Sequence, residues 1–327
     1  MQAETELNHS TIDKLTDTQT GWRRMAARAG KLFDDARLYP ILLILPVILF
    51  FLVWNVIPTI WLIGLSFYKY SLISSAPERF IGVENFTDIM SDVRVWQSLG
   101  RTFIWVFVSI TIQTILGGLL GLLFWRSNQM PGRRVALTLL FTPMIITPLA
   151  SGVFFRFIYE PTFGIANYVL GLFGNQVNFL SDPNVAFGAV MFVDIWMWTP
   201  FMILITLAAL GSVPKAELEA AEIDRLPWTY RLSVIILPHA RYVLMLGILL
   251  RTIDSFKTLD LIYILTGGGP GSTTELIAVT LRRQAFEAFD LGWSSALAVI
   301  LLLTAIAFTS IYIFILNQSS KQQGGVS

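Results

Sequence analysis

Six runs of mostly apolar residues, each long enough to cross a bilayer, constrain this chain more than any other feature. A helix needs roughly 20 such residues to cross the hydrocarbon layer. The runs lie at 39–67, 99–125, 135–159, 185–210, 240–265 and 293–316. They predict an all-α integral membrane fold with six transmembrane helices, because a helix satisfies its own backbone hydrogen bonds inside lipid.

The distribution of Lys and Arg predicts the orientation of these helices, since basic residues favour the cytoplasmic side of a membrane. With the N-terminus inside, the inner segments hold fourteen Lys and Arg residues. The outer segments hold five, namely Lys69, Arg79, Arg94, Arg282 and Arg283. We therefore expect both termini in the cytoplasm. Residues 1–38 form a tail whose end suits either an interfacial helix or a solvated basic flank, and 318–327 form a second tail.

Composition excludes several classes of protein. The chain is 54% hydrophobic and 14% charged over 327 residues, which is too apolar for a soluble domain of that length. It has no Cys, so it forms neither a disulfide nor a thiolate metal site. Its formal net charge of +1 provides no basic surface for nucleic acid.

A membrane-embedded hydrolase is the main alternative from an enzyme class, and the placement of the two histidines argues against it. His9 lies in the N-terminal tail, and His239 is expected in an exposed cytoplasmic loop, so neither can activate a serine at membrane depth. No cluster of His, Cys and acidic residues has the spacing of a metal site. We therefore expect no catalytic residue and no metal ligand.

The stretch ELEAAEIDRLPWTYRLSVIILP, at 217–238, interrupts the apolar pattern between the fourth and fifth spans, on the expected cytoplasmic side. Its first half favours a helix, and Pro227 predicts a turn followed by a second short helix. The acidic residues of the first helix are Glu217, Glu219, Glu222 and Asp224. Such a surface is suited to docking into a cleft on a soluble partner.

Within this stretch, Glu219-Ala220-Ala221, Asp224 and the ending Ile236-x-Pro238 resemble the EAA loop of the membrane subunits of bacterial ABC importers. Three further stretches resemble the carbohydrate-uptake branch of that family, which includes the sugar-contacting membrane subunit of the maltose importer. They are IGVENFTDI at 81–89, TPMIITPLASGVFFRFIYEPTFGIANYVL at 142–170 and DLIYILTGGGPGSTTE at 260–275. The resemblance covers about residues 40–318 and implies a six-span permease domain at 39–317.

The resemblance also implies an assembly. Its other members are a second membrane subunit that forms a heterodimer with this chain, two cytoplasmic ATPase subunits and a periplasmic solute-binding protein. The chain has no GxxxxGKS or GxxxxGKT phosphate loop, because its glycine run at 267–275 lacks the lysine. ATP and Mg²⁺ are therefore expected on the partner subunits, with no cofactor in this chain. The glycine run is either a flexible outer loop or a permissive turn that ends the fifth span.

The residues implied to contact the ATPase are Glu219, Ala220, Ala221, Asp224 and Arg225. The two alanines are small enough to let another backbone approach closely. Arg225 departs from the family pattern, which usually has Gly at that position. Because Gly permits a left-handed turn, we expect either a different turn supported by Pro227 or a slightly re-aimed loop.

Ionisable residues inside membrane spans usually face one another or a cavity. At about 100° per residue, a stripe of the fourth span holds Asp194, Met197, Trp198 and Phe201. A stripe of the fifth span holds Arg251, Asp254, Ser255 and Thr258, whereas Lys257 and Asp260 fall on the opposite side. Both stripes lie near the middle of the bilayer, so Asp194 and Arg251 are placed to pair.

Alignment with the carbohydrate permeases implies that Met197, Trp198, Phe201 and the fifth-span stripe contact sugar. An aromatic ring covers the apolar face of a sugar, while carboxylate, guanidinium and hydroxyl groups bind its hydroxyls. The alternative is a structural role, in which the ion pairs fix the packing of helices. The sequence leaves both interpretations open.

The sequence therefore predicts the permease subunit of an ABC importer in a bacterial inner membrane. It is a transporter subunit and not an enzyme, and with its partner it forms the path for a sugar, polyol or related carbohydrate. The alternative is an ion-coupled secondary transporter of a small polar solute, since Asp194, Asp254 and Asp260 are placed to carry protons. The EAA loop argues against that alternative.

Overall fold

The structure is a computed structural model that describes residues 38–126 and 131–321. Most of these residues are helical. The predicted interfacial helix near the N-terminus lies outside the described residues. The chain divides into two compact units, one that ends at Gly64 and one that begins at Leu65.

The first unit contains one long apolar helix. Its parts are α1 (Leu38–Phe51), a π-helical segment (Leu52–Val56) and α2 (Ile57–Leu65). Large apolar side chains such as Phe50 and Trp61 are exposed along it. An apolar surface of this kind is what a bilayer-crossing helix presents to its surroundings, and the observed bounds agree with the predicted first span.

The second unit contains a small hairpin and the remaining helices. Its first elements are β1 (Tyr68–Lys69), β2 (Arg79–Phe80), α3 (Glu84–Ser91), α4 (Val93–Arg126), α5 (Arg133–Ile145), α6 (Pro148–Ile158), α7 (Ile165–Gly171) and α8 (Ala186–Gly211). The next are α9 (Lys215–Ile223), α10 (Trp228–Tyr230), a π-helical segment (Arg231–Ile236), α11 (Leu237–Ser255), α12 (Asp260–Leu265), α13 (Ile277–Phe286) and α14 (Leu291–Lys321). The two strands pair antiparallel, with Tyr68 opposite Phe80.

Five helices of the described chain are long and apolar enough to cross a membrane, and a bent pair makes a sixth if it is one span. That pair is α5 and α6, which meet at 99° where a single third span was expected. Pro148 explains the break, because a proline disfavours helical backbone at the preceding residue. Thr147 caps the new helix by accepting a hydrogen bond from the Ala150 N–H at 3.3 Å.

The fifth span differs from its predicted bounds at both ends. Helix begins at Trp228 and continues through the π-helical segment into α11, so the predicted second short helix is the start of the span itself. Pro238 therefore lies inside a continuous helix, directly after the π-helical segment, and such irregular turns commonly accompany a proline that cannot donate a helical hydrogen bond. The helix then ends at Ser255, and α12 starts only at Asp260. The prediction of an unbroken helix over 240–265 was therefore wrong.

Close packing of α4, α8 and α11 forms the centre of the second unit. A side chain at Gly117 of α4 would clash with Met202 of α8, and one at Gly121 would lie 2.6 Å from Thr206. Gly247 of α11 likewise lies against Ile205. Small residues let helix backbones approach closely inside a membrane, and this approach brings polar side chains of the three helices into one buried cluster.

Candidate functional site

A buried ion pair joins α8 to the last turns of α11. The Arg251 Nη2 lies 2.6 Å from Asp194 Oδ2, and each side chain is only 1% exposed. Removing two charges from water is costly unless both are paired and hydrogen-bonded. The pairing that the two polar stripes predicted is therefore confirmed, and it holds the two helices in a fixed register.

Gln113 of α4 completes this pair. Its Nε2 donates a hydrogen bond to Asp194 Oδ2 at 2.9 Å, and its Oε1 accepts one from Arg251 Nε at 2.9 Å. Gln113 is fully buried. The sequence analysis missed this residue, although an amide in the middle of the apolar run ITIQTILGG was a usable signal. We refer to Gln113, Asp194 and Arg251 as the buried triad.

The charges continue from the buried triad to a cavity surface. Arg251 Nη1 lies 3.2 Å from Asp254 Oδ2, and Lys257 Nζ lies 3.9 Å from Asp254 Oδ1. The Asp254 side chain is 48% exposed, in contrast to the triad. One face of this network is therefore sealed between helices, and the other carries a carboxylate and an ammonium group that a solute can reach.

The network opens into a cavity of about 160 Å³, here called the central cavity. Its walls are formed by Pro148, Asp194, Met197, Trp198, Asp254, Lys257, Thr258, Leu259, Asp260 and Leu261. Lys257 and Asp260 were predicted to face away from this site. That prediction was wrong because the helix ends at Ser255, and the turn that follows returns both residues to the cavity.

Trp198 supplies the aromatic surface of the central cavity. The Arg251 guanidinium carbon lies 4.8 Å from its ring centroid, which is within cation–π distance. Phe201 contacts Trp198 edge to face, with ring centroids 6.4 Å apart, and does not line the cavity. The two aromatic residues of the predicted stripe therefore differ in position. Trp198 lines the central cavity, where it is placed to meet a solute, whereas Phe201 packs against Trp198 outside the cavity.

Ser255 is another predicted contact that does not line the central cavity. Its side chain is fully buried, and its Oγ makes no hydrogen bond within the described chain. Of the eight predicted contacts, five line the cavity, namely Asp194, Met197, Trp198, Asp254 and Thr258. Arg251 lies behind them as their common ionic partner.

The second candidate site is the segment between α8 and the fifth span, here called the coupling segment (residues 212–227). Its helix α9 directs Ala221 into the protein, where that side chain is 2% exposed. The opposite face carries Ile223, which is 81% exposed, flanked by exposed Glu219 and Ala220. Ala221 was predicted to meet a partner, whereas in this structure α9 packs that face against its own chain. Ile223 was missed.

Arg225 ends α9 in the left-handed conformation itself, with φ of 53°. The Arg225 N–H donates to Glu222 O at 3.1 Å, and the Leu226 N–H donates to Ala221 O at 3.0 Å. This pair of bonds is the Schellman termination, whose left-handed position usually holds Gly. The alternative of a different turn was therefore wrong, since Arg225 keeps the turn that glycine would make and accepts the backbone strain. The alternative of a re-aimed loop stays a prediction.

This strain leads to a testable expectation. Arg225→Gly should stabilise the turn by about 1 kcal/mol, because a left-handed L-residue costs roughly that much. Hydrogen exchange at the Leu226 amide, whose N–H closes the turn, should then slow by about fivefold. Arg225→Ala is the matched control, since it removes the charge and keeps the strain. Equal exchange rates in the two variants would contradict a conformational cause.

His239 connects the coupling segment to the fifth span. Its Nε2 lies 3.3 Å from Glu217 Oε1, and its Nδ1 lies 2.8 Å from Ile235 O. The residue is helical, near the start of α11, so its predicted place in a loop was wrong. Trp228, the first residue of the fifth span, contacts α4, because the Arg126 guanidinium at the end of α4 lies 4.7 Å from its ring centroid.

The glycine run between α12 and α13 is closed by hydrogen bonds. Gly267, Gly268 and Gly271 have positive φ, and Thr274 Oγ1 donates to Gly269 O at 2.8 Å. Arg283 fixes the loop from outside, with its Nη1 2.7 Å from Glu275 Oε2. The run ends α12 as a turn, which agrees with the second of the two interpretations made from the sequence.

Comparison with known proteins places this arrangement in a family context. The family model described as binding-protein-dependent transport system inner membrane component matches residues 90–322. The chain is 32% identical to the trehalose/maltose transport system permease protein MalF of Thermococcus litoralis, over 83% of this chain and 91% of that protein. It is 33% identical to the sulfoquinovosyl glycerol transport system permease protein SmoG of Agrobacterium fabrum, over 86% and 91%.

Among solved structures, the chain resembles a subunit of a bacterial ABC transporter involved in the import of the acidic polysaccharide alginate. The TM-score is 0.75, with 21% identity over 90% of this chain and 99% of the other. At that identity the likeness shows the fold alone. It agrees with the helical bundle described above.

Proposed function

Because the chain belongs to the family of binding-protein-dependent transport system inner membrane components, we propose that it is the permease subunit of an ABC importer for a carbohydrate. The two relatives described above are named for trehalose/maltose and for sulfoquinovosyl glycerol. Both solutes are rich in hydroxyl groups. The proposed solute class is therefore a sugar, a polyol or a related carbohydrate.

The proposed assembly has this chain and a second membrane subunit forming the path through the inner membrane of a bacterium. A periplasmic binding protein delivers the solute, and two cytoplasmic ATPase subunits hydrolyse ATP. With the bent pair counted as one span, the proposed topology has six spans and both termini on one side. The excess of Lys and Arg in the inner segments favours the cytoplasm for the termini and for the coupling segment. The exposed Ile223 and Glu219 of that segment support this placement, because a protruding apolar side chain beside a carboxylate suits a protein cleft.

The central cavity is the observation that carries the proposal. Trp198 offers a ring to the apolar face of a sugar, and Asp254, Lys257 and Asp260 offer charged hydrogen-bonding groups. Gln113 and Arg251 of the buried triad lie behind these residues and Asp194 forms part of the wall, so the triad holds Trp198 and Asp254 in position. The structural interpretation then applies to Arg251 and its buried partners, and the solute-binding interpretation applies to Trp198 and Asp254.

Transport in vesicles tests the proposed function. The importer is reconstituted with its partners, and uptake is measured for maltose, trehalose, a glucuronate-containing disaccharide and glycerol phosphate, here called the solute panel. ATP-dependent uptake that survives an uncoupler is expected for at least one panel member. Uptake that follows a proton gradient without ATP would instead support the ion-coupled transporter.

Two substitutions in the central cavity should lower this uptake. Trp198→Ala removes the ring, and Asp254→Ala removes a carboxylate, so each should reduce transport by about tenfold, the loss expected for one charged hydrogen bond or stacking contact. Trp196→Ala and Asp88→Ala are matched controls, because neither residue lines the cavity. All rates are normalised to the amount of assembled complex. If the cavity variants transport as well as the controls, the cavity does not bind solute.

A further inference from the structure

A second cavity, here called the outer cavity, lies at the other end of the elements that form the central one. Its volume is about 460 Å³. It is lined by Arg156, Tyr159, Glu160, Pro161, Asn178, Leu180, Ser181 and residues 263–267. No residue is shared with the walls of the central cavity, so the two are separate spaces.

Two packed elements connect the cavities. Helix α6 contributes Pro148 to the central cavity and Arg156 to the outer one, which are roughly 12 Å apart at 1.5 Å per residue. Helix α12 does the same through Asp260, its first residue, and Leu265, its last. Leu261, Ile262 and Leu265 are almost fully buried, so α12 is a packed divider between the two spaces.

The outer cavity lies away from the coupling segment. Ser181 precedes the first residue of α8, whereas the coupling segment follows its last residue, and the 26 residues of α8 span about 39 Å. Asp194 lies between these ends, beside the central cavity. The order along α8 is therefore outer cavity, central cavity and coupling segment.

The side chains of the outer cavity retain hydrogen-bonding capacity. Within the described residues, the side chains of Arg156, Asn178 and Ser181 make no hydrogen bond or ion pair, and the Arg282 guanidinium lies 3.6 Å from the Tyr263 ring centroid. A guanidinium, an amide and two hydroxyls therefore converge on one space. These groups bind the hydroxyls of a carbohydrate, or an acidic group if the carbohydrate carries one.

Glu160 does not neutralise Arg156. Its carboxylate accepts hydrogen bonds from the Phe163 N–H at 2.7 Å and from the Thr162 N–H at 2.6 Å. The hydrogen bond from Phe163 has the larger effect, and together the two bonds hold the pKa of the Glu160 carboxyl below its usual range. The carboxylate is thus committed to its own loop, and no ion pair joins it to Arg156 within the described chain.

The two cavities differ in volume. Pockets that bury a small organic ligand usually measure about 300–1,000 Å³. The outer cavity, at about 460 Å³, falls in that range, whereas the central cavity, at about 160 Å³, does not. In this conformation a disaccharide has room only in the outer cavity of the two.

We propose that the outer cavity is a second carbohydrate-binding subsite, which receives the solute before it reaches the central cavity. Arg156, Asn178 and Ser181 bind its hydroxyl or acidic groups, and Tyr263 forms part of the wall. This inference rests on the proposed function. It adds a binding site about one disaccharide length from the central cavity, on the side opposite the ATPase.

Thiol labelling tests the subsite directly, because the chain has no cysteine of its own. Ser181→Cys places a single thiol in the outer cavity, and Ser74→Cys places a matched thiol at an exposed position between β1 and β2. Both variants are assembled with their partners in phosphatidylcholine vesicles and treated with a maleimide. The label on this chain is measured by mass spectrometry, with and without the transported member of the solute panel.

The solute should slow labelling of Ser181→Cys by about tenfold at ten times its dissociation constant, by mass action, and leave Ser74→Cys unchanged. In the Ser181→Cys background, Arg156→Gln should raise the solute concentration needed for protection by about tenfold, as expected for one charged hydrogen bond. Arg79→Gln, which removes an exposed arginine from β2, should leave that solute concentration unchanged.

The outcomes separate the two proposals. If the importer transports a panel member and that solute does not protect Ser181→Cys, the subsite is wrong while the proposed function stands. If added phosphatidylglycerol protects the thiol and the solute does not, the cavity binds a lipid headgroup instead. If no panel member is transported, the proposed function fails, and the subsite fails with it.

Discussion

Arg251→Met is expected to remove most of the folded protein from the membrane. The substitution leaves the Asp194 carboxylate 1% exposed between helices, with only the Gln113 amide as a partner. Removing one partner of a buried ion pair typically costs about 3–5 kcal/mol. That loss is a large fraction of the stability of an ordinary protein, about 5–15 kcal/mol. The yield of monodisperse protein after detergent extraction and the apparent Tm measure the effect.

Two further variants make this prediction specific to burial. Arg94→Met removes the same side chain from an ion pair in which Arg94 is 79% exposed, so its Tm should stay close to that of the unmodified protein. Asp194→Asn combined with Arg251→Gln leaves no charge unpaired, and should recover much of the lost Tm. If Arg251→Met has the Tm of Arg94→Met, the buried triad does not hold the helices together.

Ile223→Asp should separate the permease from the proposed ATPase subunits while leaving the permease folded. Ile223 is 81% exposed on α9 and points away from the buried Ala221, so its replacement disturbs no internal packing. Burying an isoleucine in a partner is worth about 1.5–3 kcal/mol, and burying an unpaired carboxylate adds a further cost. The ATPase should therefore bind at least about tenfold more weakly, and ATP-driven uptake should be lost.

The neighbouring residues define which face of α9 docks. Glu219→Lys should have a similar effect, because Glu219 lies about 40° from Ile223 around the helix. Glu222→Lys is the matched control, at about 100° from Ile223 with the same change of charge. Co-purification of the ATPase with the tagged permease, and its apparent Tm, separate docking from folding. If Glu222→Lys releases the ATPase and Ile223→Asp does not, the docking face has been assigned to the wrong side.

The helical architecture was largely predictable from the sequence, because every backbone amide in lipid needs a hydrogen bond within its own segment, whatever the side chains are. A long apolar run must therefore be helical. The bounds of the first, fourth and sixth spans agree with the structure to within a few residues, as at 185–210 against Ala186–Gly211. The third and fifth spans differed because their breaks follow from local backbone geometry at Pro148 and after Ser255.

The site was predictable in part. Helical periodicity identified Asp194 and Arg251 as partners, since charges at the same depth on adjacent helices must meet or remain unpaired. Helical periodicity misplaced Lys257 and Asp260, because it assumes that the helix continues to residue 260, whereas the helix ends at Ser255. It also missed Gln113, whose contacts are 81 and 138 residues away along the chain.

The sequence by itself determined the membrane-spanning helices, the family resemblance and the position of the coupling segment, because each depends on residues close together in the chain. The tertiary structure decided which faces those helices present. It turned Ala221 inward and Ile223 outward, and it placed Arg225 in a left-handed turn that its residue type disfavours. It also created the two cavities, since a cavity is the space left between elements whose crossing depends on contacts such as Gly117 with Met202. Those contacts join residues far apart in the chain, and periodicity within one helix carries no information about them.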